Sequence, residues 1–181
     1  MKELSLNILD VAENSVKARA SLTQILITEE GNKLTLQIKD DGCGMSEEVV
    51  KSVVDPFYTT RTTRKVGLGV PLLKLAAEQT GGSLTVESKT EEDFPNDHGT
   101  CVTAVFFKDH IDFTPLGDVV SSVITLIQGH PDTDFYFCHK TENGTAELDT
   151  RQLREILGDV ALNTYEVIKW IEEYLLEQYR H

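Results

Sequence analysis

The sequence predicts an α+β protein whose sheet is mixed but mostly antiparallel and is covered by helices. Short segments with alternating apolar residues indicate half-buried strands, and segments with apolar residues every three or four positions indicate amphipathic helices. These segments follow one another as helix, two strands, short helix, loop, helix and two strands, an order typical of α+β proteins. At 181 residues the chain is long enough to bury a substantial core.

Each element in the first part of the chain has its own signal. Leu4, Ile8 and Val11 form the apolar stripe of a helix that we predict over residues 2–18. Turn residues separate four strands, which we predict to pair as two hairpins, 24–28 with 33–39 and 83–88 with 101–107. Two further helices are expected, one from Ser46 to Asp55-Pro56 and one from Gly67-Leu68-Gly69 to Gly81-Gly82, with the polar residues 58–66 between them.

A change of composition near residue 110 predicts a domain boundary, with one domain over 1–109 and a small acidic α/β domain of unknown role over 110–181. In the second part, Thr114-Pro115 favours the start of a helix that reaches Gln128. The remaining predicted elements are a hairpin of 134–138 with 145–148 around Asn143-Gly144, and helices over 150–157 and 164–180.

The net charge of −13 argues against nucleic acid as a partner, because duplex binding depends on Lys and Arg side chains that neutralise phosphates. Apolar runs are too short for a membrane helix, and three cysteines without a CxxC pair indicate neither a disulfide framework nor a zinc ribbon. We therefore expect a reduced, cytoplasmic protein without nucleic-acid or membrane partners.

A basic segment and two glycine pairs indicate a phosphate ligand. Arg61, Arg64 and Lys65 fall within a five-residue segment of a chain that is otherwise acidic. This segment lies just before Gly67-Leu68-Gly69, where we predict that a helix starts. Backbone N–H groups at such a start bind anions. The second pair, Gly42 and Gly44, follows a strand. A solvated loop with ordinary turn glycines is the alternative explanation, and neither a Walker A loop nor a Rossmann fingerprint is present.

Asp10 and Asn14 are a candidate magnesium pair. One helical turn separates them, so they lie on one face, together with Glu3, Asn7 and Lys17. Magnesium takes one or two oxygen ligands from the protein and others from nucleotide phosphates. The alternative is a polar stripe that faces solvent.

Five motifs together resemble, in order and spacing, the N, G1, F, G2 and G3 boxes of the GHKL ATPase superfamily, which includes gyrase, the heat-shock chaperone, histidine kinases and the mismatch-repair ATPase. They are Ile8-Leu-Asp-Val-Ala-Glu-Asn-Ser-Val-Lys-Ala18, Asp40-Asp-Gly-Cys-Gly-Met45, Asp55-Pro-Phe-Tyr58, Gly67-Leu-Gly-Val70 and Gly99-Thr100. The spacing of the later boxes resembles the histidine kinases most, whereas Asn14-Ser15 and Asp40-Asp-Gly-Cys-Gly are more similar to the mismatch-repair type. The resemblance covers about residues 4–107 and implies a two-layer sandwich of Bergerat type.

The resemblance also implies a role for each matching residue. Asn14 would ligate Mg²⁺, Asp40 would accept a hydrogen bond from the adenine amino group, and Thr100 would support Asp40 directly or through a water. The other residues that it assigns to ATP are Gly42, Gly44, Met45, Phe57, Gly67, Leu68 and Gly69. Residues 58–66 would form the lid over ATP, so that Arg61, Arg64 and Lys65 become candidates for the γ-phosphate.

Asp10 is the candidate catalytic base, because hydrolytic members carry a carboxylate four residues before the Asn. Asp is shorter than Glu, so a second place on Mg²⁺ is the alternative, and Glu13 is the fallback base. The chain begins at the N box and shows no phospho-acceptor histidine context. We therefore expect a stand-alone regulatory protein kinase or slow ATPase that acts on a protein partner; the alternative is a non-catalytic switch gated by ATP.

Overall fold

The computed structural model describes residues 3–54 and 69–180, which form six helices and six strands. The helices are α1 (Leu4–Lys17), α2 (Glu47–Val54), α3 (Gly69–Gln79), α4 (Val119–Gly129), α5 (Thr150–Leu157) and α6 (Tyr165–Gln178). The strands are β1 (Leu22–Glu30), β2 (Lys33–Asp40), β3 (Ser83–Lys89), β4 (Gly99–Phe107), β5 (Asp134–Thr141) and β6 (Gly144–Asp149).

The described strands form one six-stranded sheet in the order β3-β4-β2-β1-β5-β6. Neighbouring strands are antiparallel except β1 and β5, which are parallel, so the predicted mixed, mostly antiparallel sheet is confirmed. Ile25, Ile38 and Val102 lie opposite one another across three strands and are buried. This face carries the helices, because α1, α3, α4 and α6 all contact the sheet there and share its apolar core.

Both predicted hairpins of the first part, the hairpin around Asn143-Gly144 and the predicted helices are present, but α4 begins later than predicted. It begins at Val119, and the carboxylate of Asp118 caps it by accepting a hydrogen bond from the Ser121 N–H at 3.0 Å. The prediction of a helix start at Thr114-Pro115 was wrong. The carbonyl of Pro115 instead accepts a hydrogen bond from Leu4 N–H at 2.8 Å, which satisfies a free donor in the first turn of α1.

Residues 110–180 continue the same sheet and core. Strand β5 lies beside β1, and α4 packs on α1. The Ser122 hydroxyl donates to the Ser5 carbonyl at 2.8 Å, and both residues are buried. The two parts thus contribute strands to one sheet and side chains to one core. The domain boundary near residue 110 stays a prediction.

No helix among the described residues combines the length and the apolar character that a membrane crossing requires.

Candidate functional site

A cavity of about 330 Å³ lies between α1, α2 and the helix-covered face of the sheet. Its wall is mostly apolar, and polar side chains lie at a few points only. The lining residues are Val11, Asn14, Ser15, Lys17, Ala18, Ile38, Asp40, Cys43, Gly44, Met45, Val49, Val53, Val70, Val86, Thr100 and Val102. A concave apolar pocket with a few convergent polar groups is the usual form of a small-molecule site.

Asp40 is the charged acceptor of this cavity and is held by three donors. It is the last residue of β2, where the two glycines that follow end the strand. Its Oδ1 accepts from the N–H of Gly42 at 2.9 Å and from the N–H of Thr100 at 3.3 Å. Its Oδ2 accepts from the hydroxyl of Ser15 at 2.7 Å. The carboxylate is therefore fixed in orientation, and a carboxylate has acceptor positions beyond these three.

Thr100 supports Asp40 through its backbone, while its hydroxyl has a different partner. Thr100 Oγ1 and Ser88 Oγ lie 2.7 Å apart, and Ser88 Oγ also accepts from the N–H of Met45 at 2.7 Å. Ser88 thus ties β3, β4 and the loop after β2 together at one point. The expected direct contact between Thr100 and Asp40 is therefore a hydrogen bond from the Thr100 backbone. Its role in binding adenine stays a prediction.

The loop glycines are required by contacts within the protein. Gly44 has φ +75°, and a Cβ there would lie 1.9 Å from the carbonyl oxygen of Lys89. A Cβ on Gly42 would lie 2.8 Å from the carbonyl oxygen of Ala18. His98 Nδ1 donates to the Gly42 carbonyl at 2.5 Å, which fixes the turn further. A role of Gly42 and Gly44 toward a base stays a prediction.

The magnesium candidates lie along α1, at the edge of the cavity. Asn14 is half-buried and lines the cavity wall, whereas Asp10 is exposed and does not line it. Asp10 lies beside the start of α3: a Cβ placed on Gly69 would be 3.1 Å from the Cβ of Asp10. An amide and a carboxylate one turn apart suit Mg²⁺ that takes its other ligands from phosphates. Among the described residues no cluster of three or more His, Cys, Asp or Glu could hold a metal.

Glu13 points away from the cavity. Its Oε1 lies 2.6 Å from His130 Nε2 at the end of α4, so this carboxylate links α1 to the C-terminal part. The role of Glu13 as a fallback base stays a prediction.

Several predicted site residues lie outside the described residues. They are Phe57, Arg61, Arg64, Lys65, Gly67 and Leu68. Of the others, Asn14, Asp40, Gly44, Met45 and Thr100 line the cavity; Gly42 adjoins it through Asp40, and Asp10 lies beside Gly69.

Sequence reasoning missed two serines of the site. Ser15 is buried and donates to Asp40, and Ser88 joins Met45 to Thr100. Ser15 carried a signal, since it directly follows Asn14 in the first box. Ser88 carried none, because its partners come from sequence positions far apart.

Residues 2–110 match the family model of the histidine kinase-, DNA gyrase B- and HSP90-like ATPases. This match covers more than half of the chain. The protein belongs to this family. The predicted GHKL membership is thereby confirmed, and the cavity occupies the region where the N, G1 and G3 boxes meet.

Curated relatives are sensor and sporulation kinases. The sensor histidine kinase CitA of Klebsiella pneumoniae is 33% identical over 85 residues, which are 45% of this chain and 16% of that protein. Sporulation kinase C of Bacillus subtilis is 28% identical over 91 residues, which are 49% of this chain and 20% of that protein. The chain thus corresponds to a fifth or less of the length of these relatives.

Solved structures support the fold over a longer stretch. The ATPase domain of MutL from Aquifex aeolicus, solved with ADP, has a TM-score of 0.55 at 14% identity, over 87% of this chain and 69% of that one. The N-terminal domain of a DNA repair protein gives 0.53 at 16% identity, over 82% and 52%. Because 87% of the chain exceeds the stretch 2–110, the likeness of fold extends into the C-terminal part. The predicted Bergerat-type architecture is confirmed.

Proposed function

We propose that the protein binds ATP–Mg²⁺ in this cavity and acts as a regulatory kinase or slow ATPase on a protein partner. Membership of the ATPase family makes ATP the expected ligand. The observation that carries the proposal is Asp40, a carboxylate fixed by three donors at an apolar cavity. A carboxylate oxygen accepts from the amino group of adenine and repels the carbonyl that guanine has at that position.

Asn14 and Asp10 fit the magnesium part of the proposal. Asn14 would offer its amide oxygen from the cavity wall, and Asp10, one turn earlier, is the candidate base, with a place on Mg²⁺ as its alternative role. When bound, Mg²⁺ would neutralise charge on the triphosphate. Phosphoryl transfer depends mainly on such positioning and charge neutralisation, so few protein groups are needed.

Calorimetry with ATP–Mg²⁺ tests the binding site. Asp40→Asn replaces an acceptor by an amide, and we expect it to weaken ATP binding about 10- to 100-fold, the range for a hydrogen bond to a charged group. Asn14→Ala should also weaken it, in a Mg²⁺-dependent way. Asp41→Asn is the matched control, because Asp41 is the adjacent residue and its carboxylate accepts instead from Ser21 and Leu22. Unchanged ATP affinity in both site variants would reject the proposed pocket.

Turnover is tested with γ-labelled ATP and candidate partner proteins. A kinase transfers the label to a protein, and an ATPase releases labelled phosphate. Asp10→Asn should abolish either reaction while ATP binding persists, and Glu13→Gln should leave the rate unchanged because His130 holds that side chain elsewhere. Release or transfer that survives in Asp10→Asn removes Asp10 from the catalytic role.

The second candidate is a non-catalytic switch gated by ATP. Asp10 is exposed and is not among the described residues that line the cavity, an arrangement that suits ATP binding without hydrolysis. The switch predicts tight ATP binding with neither labelled product, unaffected by Asp10→Asn.

We also propose a cytoplasmic location. Cys43, Cys101 and Cys138 are free thiols, as expected in a reducing compartment. Fractionation of cells that express a tagged chain tests this.

A further inference from the structure

Helix α6 leaves an aromatic surface uncovered. Val167, Ile171 and Leu175 bury one side of the helix in the core. Beside that buried side, Trp170 and Tyr174 stack with ring centroids 4.9 Å apart and planes 11° apart. They remain 48% and 41% exposed, although large aromatic side chains usually gain by burial. We call the surface formed by Trp170, Tyr174, Glu166 and Glu173 the α6 face.

The α6 face is acidic as well as aromatic. Glu166 lies four residues before Trp170 and Glu173 three residues after it, so helical geometry puts both on the side of the rings. The helix holds four glutamates against one lysine. A third carboxylate on this side, Glu177, is paired with Arg180 at 3.1 Å. The surrounding residues 110–181 carry 13 acidic and 5 basic side chains, a net charge of −8.

We propose that the α6 face docks a cationic amphipathic segment of a partner protein, with Lys or Arg beside apolar side chains. A guanidinium or ammonium group is attracted both to the open face of an aromatic ring and to the adjacent carboxylates. The apolar side chains of the segment would cover the rings. A second copy of the chain would bring the same negative charge to the contact, and an anionic lipid surface would be repelled in the same way.

The position of the face separates this binding from the nucleotide. α6 packs on α4 and β6, at the end of the sheet opposite β3, whereas the cavity lies over β2, β3 and β4. The inference goes beyond the proposed function and does not require ATP turnover. A partner can dock there with the cavity filled or empty.

Tryptophan fluorescence tests the proposal directly, because Trp170 is the chain's one tryptophan. The probe is a synthetic amphipathic peptide of Arg, Lys and Leu, added to the full chain without nucleotide. We expect saturable quenching or an emission shift, and weaker binding as salt is raised. The charge-reversed peptide, with Glu in place of each Arg and Lys, should not bind. Equal binding of both peptides would overturn the proposal.

Variants separate a specific face from general acidity. Glu166→Gln with Glu173→Gln should weaken peptide binding about 3- to 10-fold, the range for two exposed charge pairs. Glu48→Gln with Glu92→Gln is the control, because it removes the same charge from two exposed positions elsewhere. An equal loss in both double variants would contradict the proposal.

Two further outcomes would assign the face to another occupant. Dimerisation in sedimentation that Trp170→Ala abolishes would make it a self-interface. An emission shift with phosphatidylserine vesicles would make it a membrane surface.

With a fluorescently labelled peptide, Trp170→Ala should lose at least tenfold in affinity, since the main aromatic contact is gone.

Discussion

Replacement of Ser15 by alanine tests how Asp40 is held in place. Ser15 is buried, and its hydroxyl is the donor at 2.7 Å to Asp40 Oδ2; Gly42 and Thr100 hold only Oδ1. A hydrogen bond to a charged group contributes about 1.5–3 kcal/mol to stability. Because Asp40 is half-buried and water can partly replace the serine, we expect a loss near 1.5 kcal/mol. For a chain of this length, that corresponds to a decrease in Tm of roughly 3–6 °C.

The same substitution should reduce ATP affinity. A carboxylate held on one oxygen is less restricted in orientation, and together with the lost donor this should weaken ATP binding roughly three- to tenfold. Urea unfolding measures the first effect and calorimetry with ATP–Mg²⁺ the second. Ser122→Ala is the control, since it removes a buried hydroxyl that donates at 2.8 Å far from the cavity, between α4 and α1.

Ser15→Ala and Ser122→Ala should both lower stability, but only Ser15→Ala should weaken ATP binding. If Ser15→Ala loses stability but binds ATP as tightly as the wild type, Ser15 is a structural residue only. The account of Asp40 as a pre-oriented acceptor would then be wrong.

Three other predictions follow from the geometry. Gly44→Ala should lower the free energy of unfolding by about 3 kcal/mol or more, because φ is positive and the added Cβ would collide with the Lys89 carbonyl oxygen. Gly31 also has a positive φ, but a Cβ there would meet open space, so Gly31→Ala should cost only about 1 kcal/mol. Urea unfolding measures both changes. Burial would raise the pKa of Asp41, but the hydrogen bonds it accepts outweigh burial and hold the pKa below its ordinary value of 3.8. The stability that Asp41 contributes is thus present above that value and is lost as the pH falls through the folded-state pKa; Asp41→Asn should flatten this part of a pH–stability curve. Glu13→Gln should weaken the attachment of α4 at His130, with faster hydrogen exchange there and unchanged ATP binding.

Alternation of apolar residues was sufficient to predict the strands. Leu34, Leu36 and Ile38 face the core as expected, since a strand with one buried face fixes its own register. The parallel pairing of β5 with β1 could not be predicted in this way, because it joins segments about a hundred residues apart. The start of α4 was missed for a similar reason: the carbonyl of Pro115 is taken by the N–H of Leu4, a contact that no local pattern encodes.

In the candidate site, too, residues within contiguous motifs could be predicted and contacts between distant segments could not. Asp40 and Asn14 were found because they lie within contiguous motifs, and the structure brings both to one cavity. The donors that orient Asp40 come partly from Thr100, sixty positions away, and Ser88 was not found at all. Asn7, expected in the polar stripe, is buried, because packing around α1 extends beyond its apolar stripe.

Strand β5 pairs with an edge of β1 that would otherwise be open to strand addition by another chain. β1 is nine residues long, and in a chain shortened to residues 1–109 its β5-facing N–H and C=O groups would have no partner strand. An unpaired edge of that length is a template for other chains, so we expect such a fragment to aggregate even though it contains nearly all of the family-matching stretch. Within the described part of the chain, β6 forms the sheet edge on this side; it has six residues and carries Glu147 and Asp149. The acidic C-terminal part thus replaces a long edge with a short, charged one that resists strand addition.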